Sequence, residues 1–326
     1  MKVLFIGGTG IISSACAQLA VRRNIEVTLL VRGRSDRPPP TGVRIIKADI
    51  RNPDSVNAVL GSEHFDAVAD FVAFTVDHVE TDLDLFRTRT EQLIFISSAS
   101  AYQTPPRLLP ITESTPLSNP IWRYSRDKIA CEERLIRAYR EQAYPVTIVR
   151  PSHTYDERSL PLHGGWTNIE RMRQGRPVVV HGDGSSLWVL THHRDFALGF
   201  VGLLGNERAI GEAVHITSDE ALTWDEITRL LGRAVQASPR VVHIPSDQIS
   251  AVDRDWGDSL LGDKTHSMIF DNSKIKRLVP EYVATTPFAR GAEEIIAWYD
   301  AHPEARVVDP EFDRQLDRLC ARWQIA

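Results

Sequence analysis

Cysteine is scarce. The 326 residues hold three, Cys16, Cys131 and Cys320, spaced neither as a C-x-x-C pair nor as a zinc-ligand set, so no disulfide framework or metal module is expected. Cys16 and Cys131 fall on helical stretches, where buried thiols act as small apolar filler, and the chain suits a reducing compartment. His163 and His181 also lack partners at metal-ligand spacing, so no metal is expected. No apolar run approaches the roughly 20 residues needed to cross a bilayer. Near the start, Val3-Leu4-Phe5-Ile6 is broken by Gly7-Gly8-Thr9-Gly10, too early for a secretory core. A soluble, cytoplasmic protein without a membrane partner is expected. Positive charge is not in excess either: 38 Lys and Arg stand against 43 Asp and Glu, a net charge of −5. Nucleic-acid affinity comes mostly from neutralising phosphates, so no nucleic-acid partner is expected.

What the chain does have is alternation. Val3–Ile6, Val27–Val31, Val43–Ile46, Ala67–Phe71, Leu93–Ile96 and Val146–Val149 read as buried strands. Helix-length stretches lie between them near 11–23, 53–60, 76–88 and 123–142. β-branched runs apolar on both faces, alternating with helices, imply an α/β fold with a doubly wound parallel sheet. After Arg150-Pro151 the rhythm changes. A helix ending at Gly175, a strand at Pro177–His181, a helix near 193–204, a strand at 213–216 and a helix from Asp225 follow. Phe312, Leu316, Leu319, Cys320 and Trp323 recur at helical spacing, as in a docked terminal helix. The expected division is a dinucleotide-binding domain over 1–163, with 188–218 returning to it. A smaller, discontinuous C-terminal substrate-binding part takes 164–187 and 219–326.

Gly7, Gly10 and Ser13 stand between the first strand and first helix, with Ile11 opening that helix. A turn without Cβ atoms lets amides and the helix N-terminus face a pyrophosphate. NAD-binding turns commonly carry an acidic residue at the end of the second strand for the ribose 2′-OH. Here that strand leads into Arg32-Gly33-Arg34, which suits a 2′-phosphate. NADP is therefore favoured over NAD.

Tyr124-Ser125-Arg126-Asp127-Lys128 places a phenol and an ammonium four apart on one helix face. An ammonium there is expected to favour the ionised phenol, a poor base at its ordinary pKa of ~10. Leu93–Ile96 leads into Ser97-Ser98-Ala99-Ser100, and Ser98 is a hydroxyl donor for a substrate oxygen. With these segments in place the chain resembles the extended short-chain dehydrogenase/reductases. More narrowly it is similar to the NAD-dependent epimerase/dehydratase family, which includes UDP-galactose 4-epimerase. Ser97-Ser98-Ala99-Ser100-Ala101-Tyr102 is similar to that family's S-S-A-(S/T)-x-Y, Asp49-Ile50 to its adenine-contacting pair, and His192-His193-Arg194-Asp195 to its H-V-x-D segment. Asn272, Lys274 and Trp298 match its C-terminal pattern.

The resemblance implies a Rossmann fold and a catalytic set of Ser98, Tyr124 and Lys128. Tyr124 exchanges the proton; Lys128 tunes the phenol and holds the nicotinamide ribose. Cofactor contacts fall to Gly7, Gly10, Ile11, Arg32, Arg34, Asp49, Ile50, Tyr124 and Lys128. Ser100 is either a second substrate hydroxyl or a cap for the strand end. Two departures bear on substrate. His153 stands where sugar-nucleotide epimerases carry an asparagine, and Leu187-Trp188 where relatives carry a diphosphate-gripping arginine. Arg171, Arg173 and Arg176 read as a solvated helix face. His153 either touches substrate or steadies its loop; Trp166 and Trp188 either stack on a sugar or pack internally. The implied activity is C4 epimerisation of a nucleotide sugar through a transient keto intermediate. The alternative is NADPH-dependent reduction of a keto-sugar or glycoside; a regulator that only senses NAD(P) is disfavoured by the intact Tyr-x-x-x-Lys pair. Members also pair as homodimers through two helices per subunit. Val76, Val79, Leu83 and Phe86 give one such helix an apolar face, which is equally suited to the core.

Overall fold

The computed structural model describes residues 1–323. The first-half runs form β1 (Lys2–Ile6), α1 (Ile11–Arg22), β2 (Glu26–Val31), β3 (Arg44–Lys47), α2 (Pro53–Leu60), β4 (Ala67–Asp70), α3 (Val76–Phe86), β5 (Leu93–Ile96), α4 (Arg123–Gln142) and β6 (Val146–Pro151). The second half adds β7 (His153–Tyr155), α5 (Trp166–Arg173), β8 (Pro177–His181), β9 (Leu187–Trp188), β10 (Leu190–His192), α6 (His193–Leu203), β11 (Ala213–Ile216), β12 (Leu222–Thr223), α7 (Trp224–Ala234) and β13 (Arg240–Ile244). It ends with α8 (Ser246–Ser250), α9 (Arg254–Ser259), a π-helical turn at Leu260–Lys264, α10 (Ser273–Leu278), α11 (Phe288–Ala301) and α12 (Pro310–Trp323). No helix among the described residues is long and apolar enough to cross a membrane.

Seven strands form one sheet in the order β11-β6-β5-β4-β1-β2-β3, and every neighbouring pair is parallel. Val3, Leu4, Phe5 and Ile6 are all buried, which is why β1 shows no polar alternation: helices cover both faces. Chain direction along the sheet reverses between β1 and β4, and the crevice beyond their carboxyl ends is where such sheets bind ligands. One face packs under α1 and α6, with Phe5, Phe196 and Phe200 in that layer; the other carries Leu83, Phe86, Cys131 and Leu135. Smaller parallel pairs, β7 with β10 and β8 with β13, belong to the second half.

Packing decides the open reading of α3 and corrects that of one arginine. Val79, Leu83 and Phe86 are 0–1 % exposed and belong to the chain's own core. At these three positions the apolar face of α3 is core, the second of the two readings, while Val76 is partly exposed; Glu80 on that helix pairs with Arg134 of α4. Of the three arginines read as a solvated face, Arg173 is exposed and Arg176 partly so, but Arg171 is not. Arg171 is 1 % exposed and bonds Asp313 (2.7 Å) and Asp317 (2.9 Å) of α12. Arg176 pairs with the same two carboxylates and Arg173 with Asp300. Hydrophobic docking of α12, with Phe312, Leu316, Leu319 and Cys320 buried, is thus locked by charge.

Candidate active site

The first βα turn is built for close approach. Gly7 and Gly8 adopt φ of 98° and 119°, a region that side chains disfavour. A Cβ on Gly8 would stand 2.6 Å from Leu29 Cδ2. Gly10 precedes α1, and its amide donates to Ser13 Oγ at 2.9 Å. Ser13 therefore fills the third small position while steadying the turn. This turn opens onto a cavity of about 830 Å³ lined by Gly7, Arg32, Arg34, Lys47, Asp49 and Ile50. Ile11 begins α1; neither it nor Gly10 lines the cavity. Asp49 accepts from the Arg51 amide at 3.1 Å. Arg32 and Arg34 are exposed. Neither they nor Lys47 have a carboxylate partner among the described residues, whereas nearby Arg37 is paired with Asp156. Bare glycines, a free helix N-terminus and unpaired cations fit a phosphate-rich dinucleotide.

On the other side of the crevice, β5 ends at Ile96 and the chain turns through Ala99–Ala101. The Ser98 hydroxyl bonds Ser100 Oγ at 2.9 Å, and Ser100 Oγ accepts from Ser125 at 2.8 Å. Ser98 also accepts from the Ser100 amide at 3.2 Å. A chain of hydroxyls so links the strand end to α4, with Ser100 its middle member. Lys128 is buried. Its Nζ donates to the Ala73 and Ile96 carbonyls at 2.7 Å each and lies 4.7 Å from the Phe74 and Phe95 ring centres. Burial pushes its pKa down to about 8.

The phenol departs from expectation. Lys128 Nζ stands 5.9 Å from the Tyr124 ring centre, with two of its donors committed to carbonyls. Burial raises the Tyr124 phenol above its ordinary value; the Ser98 hydroxyl opposes this and the Asp263 charge adds to it. The protein alone holds the phenol protonated. Desolvation outweighs the tuning expected from the neighbouring amine.

Behind the pair, one further helical turn along α4, Glu132 is fully buried. It receives Arg150 Nε at 2.9 Å and Nη2 at 2.5 Å, as well as the Ser97 hydroxyl. This ion pair fastens α4 to β6. A second cavity, about 370 Å³, opens beside the phenol and is lined by Ser98, Tyr124, His153, Trp188, Asp263 and Lys264. Trp188 Nε1 donates to His153 Nδ1 at 3.2 Å. Burial, with Lys264 nearby, pushes the His153 pKa down to about 3.

Most candidate residues therefore gather at one crevice: Gly7, Arg32, Arg34, Asp49 and Ile50 on the first cavity, Ser98, Ser100, Tyr124, His153 and Trp188 on the second. Trp166 does not. It is buried against Tyr299, ring centres 4.7 Å apart, beneath Arg173 and Arg306, so packing is its role. His163 stacks on Trp256 and His181 bonds the Lys264 carbonyl. Sequence reasoning missed Glu132, Asp263 and Lys264. Glu132 carried one usable signal: it continues the Tyr124–Lys128 spacing by another four residues.

A parallel sheet with a nucleotide crevice at its switch point, facing a Ser-Tyr-Lys set whose lysine is buried and whose serine and tyrosine are partly exposed, defines a dinucleotide-dependent enzyme of hydroxyl or carbonyl chemistry. Residues 3–217 match the NAD dependent epimerase/dehydratase family, and the chain belongs to it. It is an NAD(P)-dependent enzyme of the extended short-chain dehydrogenase/reductase type. It is 26 % identical to a 2′-dehydrokanamycin reductase of Streptomyces kanamyceticus, over 99 % of this chain and 90 % of that one. It is 28 % identical to the chloroplast stem-loop binding protein of 41 kDa b of Arabidopsis thaliana, over 74 % of this chain and 65 % of the relative. An epimerase from Methanothermobacter thermautotrophicus shares the fold with a TM-score of 0.77, covering 94 % of each chain at 19 % identity.

Proposed function

We propose that this sugar-modifying enzyme is a net reductase, transferring hydride from NADPH to the ketone of a sugar or glycoside. The observation that carries the reading is the trio of unpaired cations, Arg32, Arg34 and Lys47, around the first cavity. A 2′-phosphate gives such cations charge-assisted bonds that a 2′-hydroxyl does not. Gly7, Gly10 and Ile11 would hold the pyrophosphate, Asp49 and Ile50 the adenine, and Lys128 the nicotinamide ribose with its remaining donor.

When bound, the nicotinamide supplies the hydride. Ser98 Oγ and the Tyr124 phenol would hold the ketone oxygen between them, and Tyr124 delivers its proton as the alcohol forms. A phenol kept protonated by burial suits this direction. The substrate side also favours a glycoside without a nucleotide: His153 is neutral, Trp188 walls the cavity, and Arg171, Arg173 and Arg176 are bound to carboxylates of α12 and Asp300, away from any diphosphate. The similarity to a 2′-dehydrokanamycin reductase along nearly the whole chain supports the same reading. The implied C4 epimerase differs in one measurable respect: it keeps its cofactor and turns over without added nicotinamide. Purified protein given 2′-dehydrokanamycin or simpler keto-glycosides is expected to consume NADPH stoichiometrically and NADH poorly. Turnover of UDP-galactose without added nicotinamide would overturn the proposal in favour of epimerisation.

A further inference from the structure

We infer that Asp263 and His153 are the substrate-reading residues of the second cavity. Asp263 accepts from hydrogen-bond donors on a sugar ring, and His153 Nε2–H donates to one of that ring's oxygens. The inference rests on the proposed function for the presence of a sugar, and identifies which features of it are read.

Asp263 sits on the π-helical turn Leu260–Lys264, a local geometry common at functional sites. The turn is wedged against the start of the catalytic helix: a Cβ on Gly262 would lie 2.6 Å from Trp122 Cβ. Asn119 clamps it there. Its Nδ2 donates to the Gly262 carbonyl at 2.6 Å and to the Ser100 carbonyl at 3.2 Å, while its Oδ1 accepts from the Trp122 amide at 2.9 Å. One buried amide thus fixes the Asp263 turn, the serine turn and the helix bearing Tyr124 relative to each other.

The carboxylate faces the cavity with acceptor capacity to spare. Asp263 is 8 % exposed, and its one ion-pair partner among the described residues is Lys264 at 3.6 Å, beyond hydrogen-bond length. Lys264 is drawn elsewhere: its ammonium lies 5.2 Å from the Trp122 ring centre and 5.7 Å from that of Trp188, within cation–π reach of both. A buried carboxylate short of donors is costly unless water or ligand supplies them.

His153 is the complementary end. An indole N–H only donates, so the bond from Trp188 makes Nδ1 of His153 the acceptor and puts the ring proton on Nε2. Nε2 has no partner among the described residues. A neutral donor, a two-oxygen acceptor and an indole wall match a pyranose carrying hydroxyl or ammonium groups; a carboxylate substituent near Asp263 would be repelled.

The test uses the full-length protein loaded with NADP. Tryptophan fluorescence would be titrated with methyl α-glucopyranoside, its 2-amino-2-deoxy counterpart, and methyl α-glucuronopyranoside. Wild type is expected to bind the first two in preference to the glucuronide. Asp263→Asn, which preserves shape, is expected to raise their Kd at least tenfold while leaving the NADP Kd unchanged and narrowing discrimination against the glucuronide. Whichever ligand loses more identifies hydroxyl or ammonium as the group read. Equal affinities in wild type and Asp263→Asn, or no sugar binding by wild type, would overturn the inference. An Asp263→Asn effect without NADPH-dependent ketone reduction by wild type would sink the reductase reading and leave this recognition standing.

Discussion

Glu132→Gln removes one charge from the most deeply buried ion pair beside the site. Glu132 is wholly inaccessible and the Arg150 side chain is 4 % exposed, so neither can turn to water when its partner is neutralised. The guanidinium would retain the Glu113 carbonyl at 3.5 Å and the face of Tyr102, 4.7 Å from its centre, but no counter-charge. Removing one partner of such a pair typically costs about 3–5 kcal/mol. For a chain of this size that corresponds to a Tm lowered by roughly 4–7 °C. Calorimetry and urea unfolding of the variant measure this directly. Tyr124, Lys128 and Glu132 lie four residues apart on α4, and Ser97 adjoins Ser98, so kcat is expected to fall with stability. The paired variant Glu132→Leu with Arg150→Met, apolar at both positions, is expected to recover most of the lost stability, because the desolvation cost of both charges disappears. A loss below about 1 kcal/mol in Glu132→Gln, or an equal loss in the paired variant, would refute the account of this pair as a charge-balanced anchor.

Tyr124→Phe is expected to lower turnover by about 10²–10⁴-fold with the NADP Kd near wild type in a fluorescence titration; unchanged turnover would remove Tyr124 from the proton step. Arg32→Ala with Arg34→Ala is expected to raise the KM for NADPH about tenfold, as for exposed charge-assisted contacts, and leave that for NADH alone. Turnover is expected to decline as pH rises through about 8, where Lys128 loses its proton, and a pH–kcat profile reads this. Folded His153, His181 and His192 have pKa values lowered by burial to about 3, 4 and 4. The unfolded chain then binds more protons below its ordinary ~6.5, so stability is complete above that pH and falls as acid is added; His153→Gln should flatten the decline in urea midpoints between pH 6.5 and 4.

Nearly every element of the main sheet was legible because its signals are local. Two-faced apolar runs mark buried parallel strands, and Asn52-Pro53 announces α2, where Asn52 Oδ1 accepts from the Ser55 amide. The nucleotide turn and the proposed Ser98, Tyr124 and Lys128 set could be picked out as candidates because cofactor chemistry requires fixed residue types at fixed spacing. What escaped depends on long-range packing. Trp166 looked as available to a sugar as Trp188; both are buried, but the approach of α11 through Tyr299 encloses the first, whereas the second lines the cavity beside the phenol. Arg171 looked solvated because its carboxylates arrive about 140 residues later, on α12. Asp263 sits in a stretch without periodicity, on an irregular turn that no local pattern announces.

The electrostatics of the phenol show why spacing alone does not assign its protonation. Four residues on a helix bring Lys128 beside Tyr124, and in water that proximity would favour the phenolate. Here the carbonyls of Ala73 and Ile96 capture the ammonium, while Asp263 places a negative charge on the substrate side and burial strips solvent from the ring. The three effects act together to keep the proton on oxygen. Asp263 thus joins recognition to chemistry: a ligand that donates hydrogen bonds to its carboxylate disperses the charge opposing phenolate formation. Proton release from Tyr124 therefore becomes easier once a correctly substituted ring is seated. A substrate lacking a donor at that place should lose kcat as well as affinity, whereas a carboxylate serving only to bind would change KM alone.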